Sequence, residues 1–538
     1  MRGAAGPTAM VESASVRFHN GRVYTLDRHG TVVQAVACRK GRVVGLGTDA
    51  EVQERFGDLP EVDLHGAVVL PAFCDAHLHL LALGLQAPLV CLSPARSKRE
   101  AVDLVREAAA AVPQDRWLVG RGWDAAGWPE GLPTRADLDE VVPHTPVVLW
   151  SRDGHRVWCN SLALRRAGVT SSTPDPRGGR IRRDPSGEPT GVLEETAVQL
   201  VARAIPPPTD GEVETALVRA QEELHRRGIA AVHHMAGPGE GSEALRGLQR
   251  LRRSGRLRLR VVAAIPETHL EAAVLVGIRS GFGDEWLRLG WVKVFADGTL
   301  GSQTAAMLEP FAGHPHDRGI SLHTREELAA LIRRAAEAGW ACAVHAIGDR
   351  ANRWALDAFQ ACRDATREWQ LRHRIEHAQL LHPQDVARFA ELGVVASMQP
   401  AHCLADRPLA ERLWGDRCRY AYAWRFLARA GAVLAFGSDA PVQTVDVLLG
   451  LYAAVFRRWP GDPNPPWFPE QALSVEEALR AYTGGPAYAA GLEAYHGSLE
   501  VDKACDLVAL DRDVLEDPHQ LARARIRMTV VGGDVVYS

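Results

Sequence analysis

Five positions in the sequence put metal-ligand chemistry directly after a short apolar run. The first is Val68-Val-Leu-Pro-Ala-Phe-Cys-Asp-Ala-His77-Leu-His79. Side chains alternate along a strand, so His77 and His79 share a face, and two imidazoles on one face can hold one divalent ion. Alone, the pair also fits two hydrogen-bonded core histidines. The second is Trp291-Val-Lys293-Val-Phe-Ala-Asp297. A lysine in such a run is desolvated, which favours the neutral amine. A neutral amine can add carbon dioxide and become a carbamate, an oxygen ligand able to bridge two metals. A lysine snorkelling from a strand end is the alternative. The third and fourth are His345, in Ala343-Val-His-Ala-Ile-Gly-Asp349, and His377, in Arg374-Ile-Glu-His. Each alone also fits a satisfied core histidine. The fifth is Asp439, in Ala435-Phe-Gly-Ser-Asp-Ala-Pro441, which could instead cap a helix.

Spacing weighs against five separate coincidences. A (β/α)8 barrel uses about 31 residues per βα unit. His345 to His377 is 32 residues, one unit. Lys293 to His345 is 52, one unit with a long loop, and His377 to Asp439 is 62, two units. His79 to Lys293 is 214, three units plus an insertion of roughly 120 residues. The five positions then end strands 1, 4, 5, 6 and 8, and all project at the C-terminal mouth of one barrel, where active sites of this fold lie.

The elements that must position these residues can be read around them. Apolar runs alternate with amphipathic stretches, as in Thr324 to Gly339 followed by Ala341-Cys-Ala-Val344, and Tyr420 to Ala430 followed by Ala432-Val-Leu-Ala-Phe436. This alternation implies a parallel sheet. Both ends of the chain instead read as short strands. Val16-Arg-Phe18 and Arg22 to Leu26 flank Asn20-Gly21, Thr31 to Cys38 and Arg42 to Leu46 flank Lys40-Gly41, and Met528 to Val531 and Val535 to Tyr537 flank Gly532-Gly533, each a hairpin signal. The expected fold class is α/β: a TIM barrel over residues 67–489, a β-sandwich domain built from residues 1–66 and 490–538, and an irregular Pro-, Gly-, Trp- and Arg-rich insertion at about 93–205.

Composition narrows the function class. The 538 residues are 46% hydrophobic and 24% charged, with a net charge of −4, which argues against nucleic-acid binding through bulk charge. Arg180-Ile-Arg-Arg183 is a local basic run, read as a solvated loop. The nine cysteines are scattered without a Cys-x-x-Cys pair, which favours a reducing compartment over a disulfide framework. Met1 to Arg17 has no continuous apolar core of a signal peptide, and Ala67 to Phe73 is too short to span a membrane. The expectation is a cytoplasmic enzyme with a small-molecule substrate and neither a nucleic-acid nor a membrane partner; a homodimer is compatible with it.

The combined pattern resembles the amidohydrolase superfamily, in its family 3 or YtcJ-like branch, of which N-substituted formamide deformylation is the best-known activity. The resemblance is carried by Pro71 to His79, Lys293 to Ser302, His345-Ala-Ile-Gly-Asp-Arg350, Arg374 to His377 and Gly437 to Pro441, with Gly120 to Asp124, Asp153-Gly-His155, Trp158 to Ser161 and Gly497 to Leu510. It implies a metal-dependent hydrolase that cleaves a C–N bond (amide, formamide or cyclic amide) through a metal-activated hydroxide. By resemblance His77, His79 and Asp439 hold one divalent ion, zinc by donor type, and His345 and His377 hold a second, with carboxylated Lys293 as bridge; a mononuclear variant has the same ligands. Asp439 serves as general base and then general acid. Trp123, Asp153 and His155 with Trp158 in the insertion, Gln303 after the lysine strand, and Gln399 and His402 after a seventh strand at Val394 to Ala396 are the candidate substrate contacts. Two departures stand out: Cys74 replaces an aliphatic residue, and His233-His234 stands on an expected third strand where similar chains have His-Asp. The other readings are the same barrel acting as an esterase, phosphoesterase or isomerase, or a non-catalytic small-molecule-binding regulator.

Overall fold

Eight strands buried on both faces form one parallel sheet: β1 (Phe73–Leu78), β2 (Ile229–His234), β3 (Arg260–Pro266), β4 (Leu287–Phe295), β5 (Ala341–Ala346), β6 (Arg374–His377), β7 (Val395–Met398) and β8 (Leu434–Phe436). They are hydrogen-bonded in sequence order from β1 to β8. The computed structural model describes residues 14–86, 90–110, 116–125, 128–152, 155–237 and 241–538. Strands covered by helices on both faces read as continuous apolar runs rather than alternating ones, and all six residues of β5 are buried. The helix feeding β5, Arg325–Glu337, starts at a capping box between Thr324 and Glu327 and is followed by Gly339 at φ 79°.

The two edges of this sheet are drawn together at the mouth. Asp439 donates its N–H to the His77 carbonyl (2.7 Å), and His79 donates to the Ala440 carbonyl (2.8 Å). Gly437 makes the approach possible: a Cβ there would lie 2.4 Å from the His77 nitrogen and 2.7 Å from Asp75 Oδ1. The seam that closes the barrel is thus also the place where the first and last candidate ligands meet.

The chain divides into two compact units, Met1–Gly84 with Val213–Ser538, and Leu85–Glu212. Besides the barrel, the first unit contains two more sheets. One orders Arg42–Gly47, Ala35–Arg39, Val16–His19 and Glu61–Asp63; the other orders Asp534–Tyr537, Ile526–Val531, Leu507–Leu510, Val68–Pro71, Arg22–Tyr24 and Val32–Val33. Phe18, Val36, Val69, Leu507 and Val530 share one core between them. Two expectations need correcting. Val68–Pro71 lies in the sandwich, paired with Leu507–Leu510, so the barrel starts at Phe73 and not at residue 67. Asn20-Gly21 does not close a hairpin: Val16–His19 and Arg22–Tyr24 lie in different sheets, and the turn carries the chain from one to the other. The Lys40-Gly41 and Gly532-Gly533 turns do close hairpins, with positive φ at both central residues.

The second unit is wider than the expected 93–205. Its six-stranded mixed sheet runs from Gly179–Arg183 at one edge to Val90–Cys91 at the other. Arg180 to Arg183 is therefore an edge strand, not a loop; Arg182 pairs with Glu194 at 2.9 Å. All nine cysteines are free, and no described helix is long and apolar enough to cross a membrane.

We expect Gly437→Ala to destabilise the protein by about 2–3 kcal/mol, because neither the His77 backbone nor Asp75 can yield to a methyl group. Thermal unfolding of the variant checks this.

Candidate metal centre

The strand ends bring most of the expected ligands together. His77 is the last residue but one of β1, and His79 follows the strand. Their Nε2 atoms lie 3.4 and 3.3 Å from Asp439 Oδ1. The donor atoms of His77, His79 and Asp439 are all within 4.8 Å of one another. A second such group shares the same carboxylate: His377, His402 and Asp439. Asp439 is thus the hinge of two three-residue sets, with His402 Nε2 3.6 Å from its Oδ2. Burial opposes its charge, but the His77 and His79 imidazoles hold its carboxyl well below the usual range.

Two expected assignments change here. His402 sits among the ligand-type groups, not at a substrate-facing position; it is buried at the start of the helix Pro400–Trp414 that follows β7. His345, on β5, belongs to neither set. Its ring packs 4.6 Å from that of His377, but its Nε2 is turned to the Gly298 carbonyl at 3.0 Å. Burial pushes its pKa down to about 3, so the imidazole is neutral.

Lys293 reaches the same centre from β4. It is fully buried, its Nζ has no hydrogen-bond partner, and the ammonium position lies 4.6 Å from the centre of the Phe295 ring. Burial lowers its pKa to about 8, against the pull of Glu376 and Asp439. Buried polar atoms without partners are costly in a native protein. Here two, Lys293 Nζ and His402 Nε2, face a cluster of imidazoles around one carboxylate. That donor set fits a divalent ion of the zinc class.

Groups behind the ligands hold them in place. Glu376 Oε2 lies 2.6 Å from His77 Nδ1, so the proton sits on Nδ1 and Nε2 keeps its lone pair. Gln399 Oε1 does the same for His377 at 2.8 Å; Gln399 is therefore a positioning residue for a histidine, not a substrate contact. Asp75 Oδ1 accepts from the N–H groups of His77 (3.1 Å) and Ser438 (3.0 Å), tying β1 to the loop after β8. Burial raises its pKa to about 6. Asp297 accepts from Ala306, Ile347 and Gly348 at 2.8, 3.0 and 2.9 Å and pins the loop after β4 to the end of β5. Burial raises it to about 7 despite these bonds. None of Asp75, Asp297 or Glu376 had a role in the sequence reading, although each stands inside a quoted motif.

His377 and Asp439 adopt left-handed backbone, at φ 72° and 59°. Such residues cost of order 1–3 kcal/mol each and concentrate at functional sites. His233 and His234 lie on β2, not on a third strand. His233 Nδ1 accepts from Arg374 at 2.7 Å, a structural use. His234 Nδ1 accepts from the Leu80 N–H. Cys74 is buried beside Asp75, and burial keeps it a neutral thiol.

The remaining expected contacts fall elsewhere. Trp123 is a core residue of the second unit: its indole is fully buried against Trp128 and Trp158 and donates to the Leu149 carbonyl at 2.7 Å. Its burial by its own unit corrects the substrate-contact assignment. Trp158 shares that core, with its N–H on the Thr134 carbonyl. His155 is exposed and pairs with Glu195 at 2.9 Å. Asp153 lies outside the described residues. Gln303 is half-buried in the loop after β4.

The amidohydrolase family model matches residues 60–537. The chain belongs to the amidohydrolase family. Among its members, YtcJ of Bacillus subtilis is 34% identical over 97% of this chain and 99% of its own. N-substituted formamide deformylase of Arthrobacter pascens is 29% identical over 98% and 99%. The crystal structure of a metal-dependent hydrolase of Pyrococcus furiosus superposes with a TM-score of 0.79 at 30% identity, covering 93% of this chain and 100% of that one. This amidohydrolase is accordingly a metal-dependent hydrolase on a TIM barrel with a β-rich second domain.

Glu376→Gln leaves an amide, a weaker acceptor, behind His77. We expect metal affinity to fall about tenfold to a hundredfold, read by competition against a chromogenic chelator.

Proposed function

We propose that this amidohydrolase cleaves a non-peptide C–N bond of a small molecule, an amide, formamide or cyclic amide, at a zinc centre that His77, His79, His377, His402 and Asp439 would hold, with carboxylated Lys293 as a further oxygen donor. The observation that carries the reading is the single carboxylate of Asp439 shared by two sets of imidazoles beside an unpartnered, buried lysine amine. The deformylase named among the relatives supports the choice of bond.

Divalent ions bound there supply Lewis acidity toward a carbonyl and make water acidic. The chain's own residues do the rest. Asp439 is ionised and central, so it accepts the proton of the attacking water and returns it to the leaving nitrogen. Glu376 and Gln399 keep His77 and His377 in the tautomers whose Nε2 atoms face Asp439. Lys293, buried and without a hydrogen-bond partner, attacks carbon dioxide through its nitrogen lone pair and releases one proton, which leaves a carbamate in its place.

Three measurements test this. A metal-loaded sample is offered N-formyl amines, lactams, aryl esters and phosphoesters; turnover is expected for the first two classes, and turnover confined to the others rejects the reading. Asp439→Asn is expected to lower kcat by about 10²–10⁴ with metal retained. Lys293→Ala is expected to lose activity and regain part of it with short carboxylic acids and added metal; full activity in this variant rules out the carbamate.

A further inference from the structure

The end of the barrel opposite the metal centre carries a cavity of about 400 Å3, at the N-terminal ends of β4 and β5 and beside the residues that lead into β6. This volume is in the range of small-molecule sites, roughly 300–1,000 Å3. Three arginines line it, Arg279, Arg288 and Arg372, and its described lining residues include no carboxylate. Arg372 is committed: it pairs with Glu493 at 2.5 Å and lies 4.0 Å over the Tyr488 ring. The other two are not. The guanidinium of Arg288, half-buried on β4, has no hydrogen-bond or ion-pair partner among the described residues. Its chain neighbours Asp284 and Glu285 are taken, by Arg252 at 2.9 Å and by Arg42 at 3.3 Å. Burial accordingly lowers the Arg288 pKa with no acidic group to offset it. Arg279 is exposed and stacks over Trp369 at 4.1 Å, also without a carboxylate partner among the described residues.

The walls around these two arginines are fixed. Ser280 Oγ donates to the Gly290 carbonyl (2.6 Å) and accepts from the Ala341 N–H (2.8 Å), which ties the segment before β4 to both β4 and β5. The Gly281 N–H is bonded to the Leu289 carbonyl at 2.7 Å. Glycine at 281 and 339 leaves room for the two arginine side chains: a Cβ would lie 2.9 Å from Arg288 Nη2 in the first case and 2.9 Å from Arg279 Cδ in the second. Gln370, also in the wall, adopts left-handed backbone at φ 54°, a strain that concentrates at functional sites.

We propose that this cavity is a binding site, separate from the metal centre, for a small organic dianion, whose phosphate or carboxylate oxygens take the forks of Arg279 and Arg288 while its uncharged body fills the remaining space. Two guanidinium groups that share a cavity without a counter-ion repel each other, and an oxyanion between them replaces that repulsion with charge-assisted hydrogen bonds. A bare oxyanion, the size of a few waters at roughly 30 Å3 each, would leave most of the cavity empty. Active sites of this fold lie at the C-terminal face. The site at the other face is therefore independent of the bond that the enzyme cleaves.

The test is calorimetry on the full-length metal-loaded protein with glucose 6-phosphate, succinate, glucose and inorganic phosphate as probes. Glucose 6-phosphate or succinate is expected to bind, and the one that binds tighter identifies the oxyanion; glucose is expected not to bind. Arg288→Gln and Arg279→Gln are each expected to weaken that binding about tenfold to a hundredfold. Arg334→Gln, which removes a surface arginine already paired with Glu271, is expected to leave it unchanged. Arg279 is exposed, so its variant carries the test if Arg288→Gln does not fold. Three results overturn the proposal: neither organic anion binds; binding survives both arginine substitutions, which marks an anion held at the metal centre; or inorganic phosphate binds as tightly as glucose 6-phosphate and succinate, which marks a site for a bare ion.

Discussion

One buried guanidinium ties the barrel interior together. Arg374 on β6 is fully excluded from solvent and stacks over Trp291 of β4 at 4.6 Å. It donates to Glu376 beside it on β6, to His233 of β2, to the Ala76 carbonyl of β1 and to Ser397 of β7. A charge in this position is tolerable only when it is paired and its donors are used, and removing one partner of such a pair typically costs about 3–5 kcal/mol. The arginine therefore fixes the relative positions of four strands and, through Glu376, the orientation of His77.

From that lattice the centre is built outward in layers. Arg374 holds Glu376, Glu376 holds His77, and His77 meets Asp439 across the seam of the barrel. The seam needs a glycine at 437 and left-handed backbone at Asp439. Polar groups interlock from β1 and β6 across to the loop after β8. At the C-terminal ends of β2 to β4 lies a cavity of about 590 Å3 with both apolar and polar walls, Phe295 and Leu322 beside Lys293 and Glu267. A hydrolase gains from this division, since the reacting groups must keep their geometry while substrates differ in size.

The sequence carried much of this on its surface. Each candidate ligand ends an apolar run, and the intervals between them fit whole βα units once a long loop and one insertion are allowed, so the barrel, the strand order and the strand-end positions of His77, His79, Lys293, His377 and Asp439 could be read without coordinates. What could not be read depends on partners remote in sequence or on rotamers. His77 and Glu376 are 299 residues apart. The difference between His345 and His402 lies in which way an imidazole points, which spacing does not record. Trp123 shows another limit: an aromatic residue in an irregular stretch looks the same whether it lines a pocket or fills a core. Asn20-Gly21 shows a third, since a tight turn fixes the local reversal and not the sheet that each arm joins.

The pairing of Val68–Pro71 with Leu507–Leu510 has a consequence for how the molecule is made. The earlier strand leaves the ribosome some 440 residues before the later one. At about 5–20 residues per second it waits roughly 20–90 s for its neighbour. For that interval the nascent chain carries an open, apolar sheet edge, Val-Val-Leu-Pro, immediately before the segment that bears Asp75, His77 and His79. The first candidate ligands emerge early, but the strand that pairs with the segment before them follows some 440 residues later. The quality of the finished centre therefore depends on whatever shields that edge in the meantime.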